Sequence, residues 1–447
     1  MEKYSKLFEG MCKEREKVFF KEDFLQYLWK FQLLKLDDIK TVDGSPLHIV
    51  KPGLHNVNSG PDFLMGQLRM GGKLWVGHIE IHLKSSDWYL HQHHKDPAYD
   101  PVILHVVWEY DMPILAQNGV ELNCVAIKEF VATPILERYQ QFLSVTHKWI
   151  LCEHSIDAVE RFTLKNWMDR LYVERLETKS VEVELLLDAC THDWEAVLFQ
   201  LLSATFGLHL NKTAFLNLAH SFEFSLLRKL QEIPSGVTSL LFGQAGFLMG
   251  EKEDDYYLEL QESYAYVSKK HGLTPLNTTQ FQFFRLRPPN FPTIRIAQLA
   301  SLYETNRHLF SKILKAKTAA DFYQLFQVRT PVYWDTHYVF GKTSKTRVKK
   351  VSKSLVDLLL INAIIPLKYV YLKIHKAQDV SELEPLIQSL KAENNSSINR
   401  FKKLKIACKN AYDSQALLQL KKEYCDKKRC LHCAIGLQVL GKCCVNV

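Results

Sequence analysis

The run His78-Ile79-Glu80-Ile81-His82-Leu83-Lys84 alternates strictly between polar and apolar residues. That periodicity commits it to a β-strand, because successive side chains of a strand point to opposite faces and only a period of two keeps Ile79, Ile81 and Leu83 together on one side. The other side then presents His78, Glu80, His82 and Lys84 in line. A half-buried strand ordinarily shows water scattered polar residues; an acid, two imidazoles and an amine in a row form a set able to bind a metal ion and move protons.

Phe63–Met70 reads as the partner strand, Gly71-Gly72 as the turn and Leu74–Lys84 as the returning strand. Folding the chain about the two glycines sets Asp62 opposite Glu80 or Ile81, with the register open by one residue. Directly opposed residues have Cβ atoms roughly 4.5–5.5 Å apart. Two carboxylates that close repel unless a proton or a cation lies between them.

Pro61-Asp62, a hairpin's length of chain, and Glu80-Ile81-His82 resemble the PD-(D/E)XK nuclease motif, with His82 in the place of the motif's lysine. The resemblance spans about residues 20–130. It implies a restriction-endonuclease-like mixed α/β core made of an initial helix, three antiparallel strands, a helix and a further strand. The sequence supplies a helix over residues 21–36 with Phe24, Leu28 and Phe31 on one stripe, strands Ile39–Val42 and Leu47–Val50 around an Asp43-Gly44 turn, and a nearly continuous apolar strand at Val102–Glu109. The resemblance further implies Mg²⁺ or Mn²⁺ held by Asp62, Glu80 and the carbonyl of Ile81, with His82 or Lys84 orienting or deprotonating a water. A neutral imidazole lacks the permanent charge of a lysine, and Lys84 lies about 7 Å further along the same face. The expected catalytic set is therefore Asp62, Glu80, His82 and Lys84.

A second resemblance covers nearly the whole chain. Ser59-Gly60-Pro61-Asp62-Phe63, Glu80 through Trp88, Phe242-Gly243-Gln244-Ala245-Gly246, Arg285-Leu286-Arg287-Pro288 with Asn290-Phe291-Pro292, and Tyr424-Cys425 with Cys430-Leu431-His432-Cys433 are similar to an uncharacterised bacterial family of about this length, known only as a domain of unknown function. That resemblance implies no activity.

A chain of 447 residues is long enough for two or three domains, and 47% hydrophobic with 24% charged residues is an ordinary globular balance. Met1-Glu2-Lys3-Tyr4-Ser5-Lys6 has no apolar core, so no signal peptide is expected. Leu355–Leu367 is interrupted by Asp357, Asn362 and Pro366 and reads as too short and too polar to span a bilayer. A soluble cytoplasmic protein with no membrane partner is the expectation.

The architecture expected is α+β: a nuclease-like core over residues 1–130, a larger, mostly helical domain over 131–400, and a cysteine-containing segment over 401–447. Gly243 and Gly246 permit close helix packing or a bend. The net charge of +8 is modest, but its distribution is uneven. Lys342, Lys345, Arg347, Lys349, Lys350 and Lys353 form a patch without an acid, suited to a nucleic-acid backbone or to a solvated loop. Arg285 and Arg287, with Arg295, suit an oxyanion clamp or the fastening of one helical layer to another.

His91, His93, His94, Asp96 and His105, added to His82, raise a zinc alternative, although no H-E-x-x-H helix is present. Cys425-x4-Cys430-x2-Cys433 has the spacing of three ligands to a zinc ion or an iron–sulfur cluster. Cys408, His432, Cys443, Cys444 or Cys152 could be the fourth. Asp87 and Trp88 read as the end of the strand and an anchor for the loop that follows. The expected function is metal-dependent hydrolysis of phosphodiester bonds in DNA or RNA. A non-catalytic nucleic-acid-binding or scaffold protein, and a zinc-dependent hydrolase of a small substrate, are the alternatives.

Overall fold

The computed structural model of the protein describes residues 20–56, 58–144, 148–375 and 382–441. The opening Met1–Lys6 and the thiols of Cys443 and Cys444 lie outside them. The chain is an α+β protein, with a six-stranded mixed sheet in its N-terminal part followed by a mostly helical region. It forms two compact units: residues up to Lys165 together with those from Lys421 onward, and Asn166–Leu420. These divisions differ from breaks at 130 and 400. Part of the reason is long-range contact, for the amide of Glu160 donates to Gln438 Oε1 at 3.1 Å, and no local pattern records such a pairing.

In the first unit, Glu22–Lys30 forms α1, with Glu22 and Asp23 in its first turn and Lys30 in its last, which suits the helix dipole. It stops earlier than the expected 36, because Gln32 takes a left-handed φ of 51°. Phe31 is consequently 45% exposed, and Phe24, Leu25, Tyr27, Leu28 and Trp29 supply the buried face.

The sheet contains β1 (Leu47–Lys51), β2 (Leu54–His55), β3 (Phe63–Met70), β4 (Lys73–Lys84), β5 (Val102–Glu109) and β6 (Cys124–Ala126). Its order is β1-β3-β4-β5-β6, with β2 also paired to β3. The first of the two strands expected around Asp43-Gly44 is reduced to a single bridge, Lys40 to Pro46. Gly71 and Gly72 both have positive φ, as a tight hairpin turn requires.

The β3–β4 register pairs Met70 with Lys73 and Gly66 with Gly77, then shifts by one residue so that Phe63 meets Ile79. Met65, at φ 56°, sits within the shift. Such a bulge reverses which face each preceding residue occupies. It places Asp62 across from Glu80 instead of Ile81 and so settles the register.

β4 pairs with β5 in parallel. The expected connecting helix is replaced by α2 (Asp87–Leu90) and two short 3-10 turns, His93–Lys95 and Pro97–Tyr99. One face of the sheet meets the main core, where Phe24 and Leu28 join Phe63, Ile79, Ile81, Leu104 and Val106. On a separate, smaller cluster, Trp88, Val102 and Ile114 pack with Tyr99. Both faces of β4 are thereby covered, and Glu80 and His82 are 5% and 1% exposed.

In the second unit, Pro292–Thr305 is buried from Pro292 through Tyr303, the signature of a central helix, and begins with proline where no amide is needed. Gly243 ends up against the ring of Tyr264, where a Cβ would approach to 2.1 Å, and Gly246 turns the chain at φ 77°. Lys353–Ile374 is one helical stretch of 22 residues with a π-helical turn at Leu360–Ile364, immediately ahead of the turn containing Pro366. The wider turn accommodates a residue without an amide proton. By length and composition this whole stretch, unlike Leu355–Leu367 alone, is sufficient to cross a membrane; 67% of its most apolar window is buried inside the protein.

Candidate metal centre

The loop before β3 and the middle of β4 are locked by a pair of reciprocal contacts. The amide of Asp62 donates to Glu80 Oε2 at 3.0 Å, and the amide of Ile81 donates to Asp62 Oδ2 at 3.0 Å. Gln26 of α1 donates to Asp62 Oδ1 at 2.8 Å. Both oxygens of Asp62 are thus fixed, and Ile81 contributes its N–H to the arrangement.

Glu80 Oε1 faces two imidazoles, lying 3.5 Å from His82 Nε2 and 3.3 Å from His93 Nε2. His91 Nδ1 is 3.1 Å from the same His82 nitrogen. The ligand atoms of His82, His91 and His93 all lie within 4.8 Å of one another. A four-coordinate ion with nitrogen and oxygen ligands at about 2.0–2.2 Å keeps those ligands roughly 3.3–3.6 Å apart along the tetrahedron's edges. The contacts of 3.1, 3.3 and 3.5 Å among His82, His91, His93 and Glu80 are close to that edge, and a donor set of three imidazoles and one carboxylate suits the chemistry of zinc.

The imidazoles are held from behind. His82 Nδ1 lies 2.8 Å from His105 Nε2, a buried contact that fixes the plane of the His82 ring. A ligating Nε2 requires the proton on Nδ1, so we infer that His82 donates to His105. The ring of His93 stacks on Tyr99 with centroids 3.7 Å apart. His94 instead packs edge-on against Tyr89, and Asp96 accepts from the amide of Ala98 to cap the second 3-10 turn.

Burial, followed by the charge of Glu80, pushes Asp62 up to about 7. Burial also pushes Glu80 up to about 8, with Glu22 adding to the effect. It drives His82 down to about 2 and His105 down to about 3, the neighbouring imidazoles reinforcing the shift. The 3.5 Å approach of His82 to Glu80 is accordingly no ordinary ion pair, since burial favours the neutral form of both. Lone pairs converging in a low-dielectric pocket are what a cation relieves.

Lys84 sits elsewhere. Its ammonium is 3.6 Å from Glu109, its register partner on β5. Asp87 accepts from the amide of Lys84 at 3.0 Å, and Trp88 is buried, so both terminate and anchor β4. Two site residues had no sequence reading: Glu22, on whose carboxyl the neighbouring His91, Asp62 and His93 act, and Gln26. Their spacing of four places them on one side of α1, which is the signal that could have found them.

In the second unit, Lys342, Lys345, Arg347 and Lys350 are exposed, as are Arg285 and Arg287. Lys349 is different. It is 5% exposed, and its ammonium donates to the carbonyls of Trp334 and Asp335. Arg295 is buried too and donates to Gln298 Oε1 and Asn290 Oδ1, fastening structure instead of clamping an anion.

The model of a family described as "Protein of unknown function (DUF2851)" matches residues 22–396. The chain belongs to that family. Every residue of the site, from Glu22 to His105, falls within the matched span. No curated protein and no solved structure matches the chain.

Proposed function

We propose that this member of the family is a metal-dependent hydrolase of nucleic-acid phosphodiester bonds, centred on Glu80, His82, His91 and His93 with Asp62 beside them. The observation that carries the reading is the shared position of Glu80: one oxygen is tied to the backbone of Asp62 and the other faces two imidazoles. An initial helix, an antiparallel hairpin bearing the acids and a parallel strand beside it support the nuclease-like part of the reading.

A divalent ion bound there supplies Lewis acidity and lowers the pKa of a coordinated water. Asp62, raised to about 7, is matched to accepting a proton near neutrality. Gln26 and the Ile81 amide keep its carboxylate oriented. His82, held neutral down to about pH 2, serves as a lone-pair donor in place of a base. The exposed cations Lys342, Lys345, Arg347 and Lys350 supply phosphate contacts in the second unit.

The test is cleavage of labelled single- and double-stranded DNA and RNA by the full chain with Mg²⁺, Mn²⁺ or Zn²⁺, beside Asp62→Asn and Glu80→Gln. Cleavage that needs the ion and disappears in both variants sustains the reading. Binding without cleavage moves it to a nucleic-acid scaffold. The nitrogen-rich donor set favours one further reading, a zinc-dependent hydrolase of a small substrate, which gains if neither binding nor cleavage occurs while zinc is bound stoichiometrically.

A further inference from the structure

Four cysteines of the first unit converge from two distant stretches of chain. Cys152 lies in a turn where the amide of Glu153 donates to Ile150 and that of Ser155 to the carbonyl of Cys152. Cys425 ends a π-helical turn, Leu420–Cys425, and accepts at its carbonyl from the amide of Lys428. Cys430 and Cys433 flank a 3-10 turn closed by a 3.2 Å hydrogen bond from the Cys433 amide to the Cys430 carbonyl. Gly436 keeps that turn tight, since a Cβ there would lie 2.2 Å from the same carbonyl oxygen.

The two stretches are fastened together on either side. The amide of Glu160 donates to Gln438 Oε1, and the ammonium of Lys421 lies 5.2 Å from the ring centroid of Trp149. Every pairing among the four thiols is close enough to interact electrostatically: Cys152 with Cys433, Cys425 with the other three, and Cys430 with Cys152 and Cys433. The rival fourth ligands are accounted for among the described residues. His432 faces Asp23, Lys30 and the ring of His55, and Cys408 sits in the second unit near Asp413, Lys402 and Glu393.

We propose that Cys152, Cys425, Cys430 and Cys433 form a tetrathiolate centre for a thiophilic metal, either a zinc ion or an iron–sulfur cluster, that staples the segment after Lys421 to the rest of the first unit. Four sulfur donors suit both occupants, and a soft thiolate set discriminates against Mg²⁺ and Ca²⁺. Thiols bind such a metal as thiolates, so its binding displaces their protons. Lys148, Lys421 and Lys428 lie near three of these cysteines and offset the negative charge that four thiolates retain around the metal. Cys425, Cys430 and Cys433 lie beyond the span matched by the family model, and the centre shares no residue with the histidine site.

The experiment uses the full chain carrying His91→Ala and His93→Ala, purified without oxygen or chelators, with zinc, iron and acid-labile sulfide measured per chain. Either about one zinc, or iron with an equal amount of sulfide, is expected to stay bound. It should be lost on Cys152→Ser or Cys430→Ser and kept on Cys408→Ser. Because a serine variant can fail to fold, the unmutated thiols are also titrated with a mercurial reagent, which should release the metal as about four thiols are blocked. A chain that holds neither metal after reconstitution under reducing conditions, or that keeps its metal in folded Cys152→Ser, overturns the proposal.

Discussion

The backbone amide of Asp62 donates to Glu80 Oε2 at 3.0 Å, so two acids that repel one another are nonetheless fastened together by the main chain. Burial raises both carboxyls, to about 7 and about 8; the charge of Glu80 adds to the rise at Asp62, and that of Glu22 to the rise at Glu80, which the Asp62 amide partly offsets. Glu80→Gln keeps an oxygen for the Asp62 amide and removes a charge. The metal-free variant is expected to be more stable than wild type at pH 8 by roughly 1 kcal/mol, the worth of about one pKa unit. The same variant should lose the rise in Tm that Zn²⁺ gives wild type. Thermal melts with and without the ion measure both effects.

Stability without metal should fall as the pH rises. Each carboxyl has a folded-state value above its ordinary one, so the folded protein holds protons that the unfolded chain has already released. The contribution of the pair is fully present below the ordinary carboxyl values, 3.8 and 4.5, and is lost as the pH rises through about 7 to 8. A bound cation takes the place of those protons. Metal affinity should therefore climb through pH 7–8, where the carboxyls titrate, while His82 adds no step near the ordinary histidine value of 6.5, being already neutral there. Calorimetry in buffers of differing ionisation enthalpy, which counts the protons released, checks this.

The bulge at Met65 makes a separate prediction. Met65 is 58% exposed and holds a left-handed φ of 56°. Met65→Gly should stabilise the protein by about 1 kcal/mol, relieving backbone strain at little loss of burial. Deleting Met65 should instead return Asp62 to the opposite face from Glu80 and abolish metal binding at the histidines. Gly66→Ala would drive a methyl to 2.5 Å from Ile79 Cδ1 and is expected to cost roughly 1–3 kcal/mol. Denaturant unfolding and metal titration separate the three outcomes.

The lysines of the basic segment should divide into two kinds. Lys349→Met strands the carbonyls of Trp334 and Asp335 and is expected to destabilise by roughly 1–3 kcal/mol. Lys345→Ala and Arg347→Ala, both exposed, should leave stability within about 0.5 kcal/mol. If the protein binds nucleic acid, each should lower the salt dependence of binding by about one unit of slope. Unfolding curves and binding at several salt concentrations report the two quantities independently.

Much of the hairpin was legible in the chain. A period of two at residues 78–84, two glycines at the turn and the apolar run at 102–109 each encode a strand locally, and the sheet contains all three. Lys84 shows where such reading stops. Its place on the polar face followed from alternation, but its partner, Glu109, belongs to a strand whose pairing no local pattern announces. Lys349 is a similar case: a lysine within a basic run looks solvated, and only the packing around Trp334 shows it buried.

The sequence by itself determined the residue types and the faces: Asp62, Glu80 and His82 near one turn, three cysteines in a short span, and an α+β order of elements. Those features depend on short-range periodicity and turn chemistry, which operate over a few residues. Tertiary structure decided which groups meet. A one-residue bulge turned Asp62 toward Glu80, folding of the 87–99 connection brought His93 to Glu80 and His91 to His82, and packing of residues 148–160 against those of 421–441 brought Cys152 near Cys425 and Cys430. Each of these depends on contacts between residues far apart in sequence, whose loop-closure cost is met only by the packing of the completed fold.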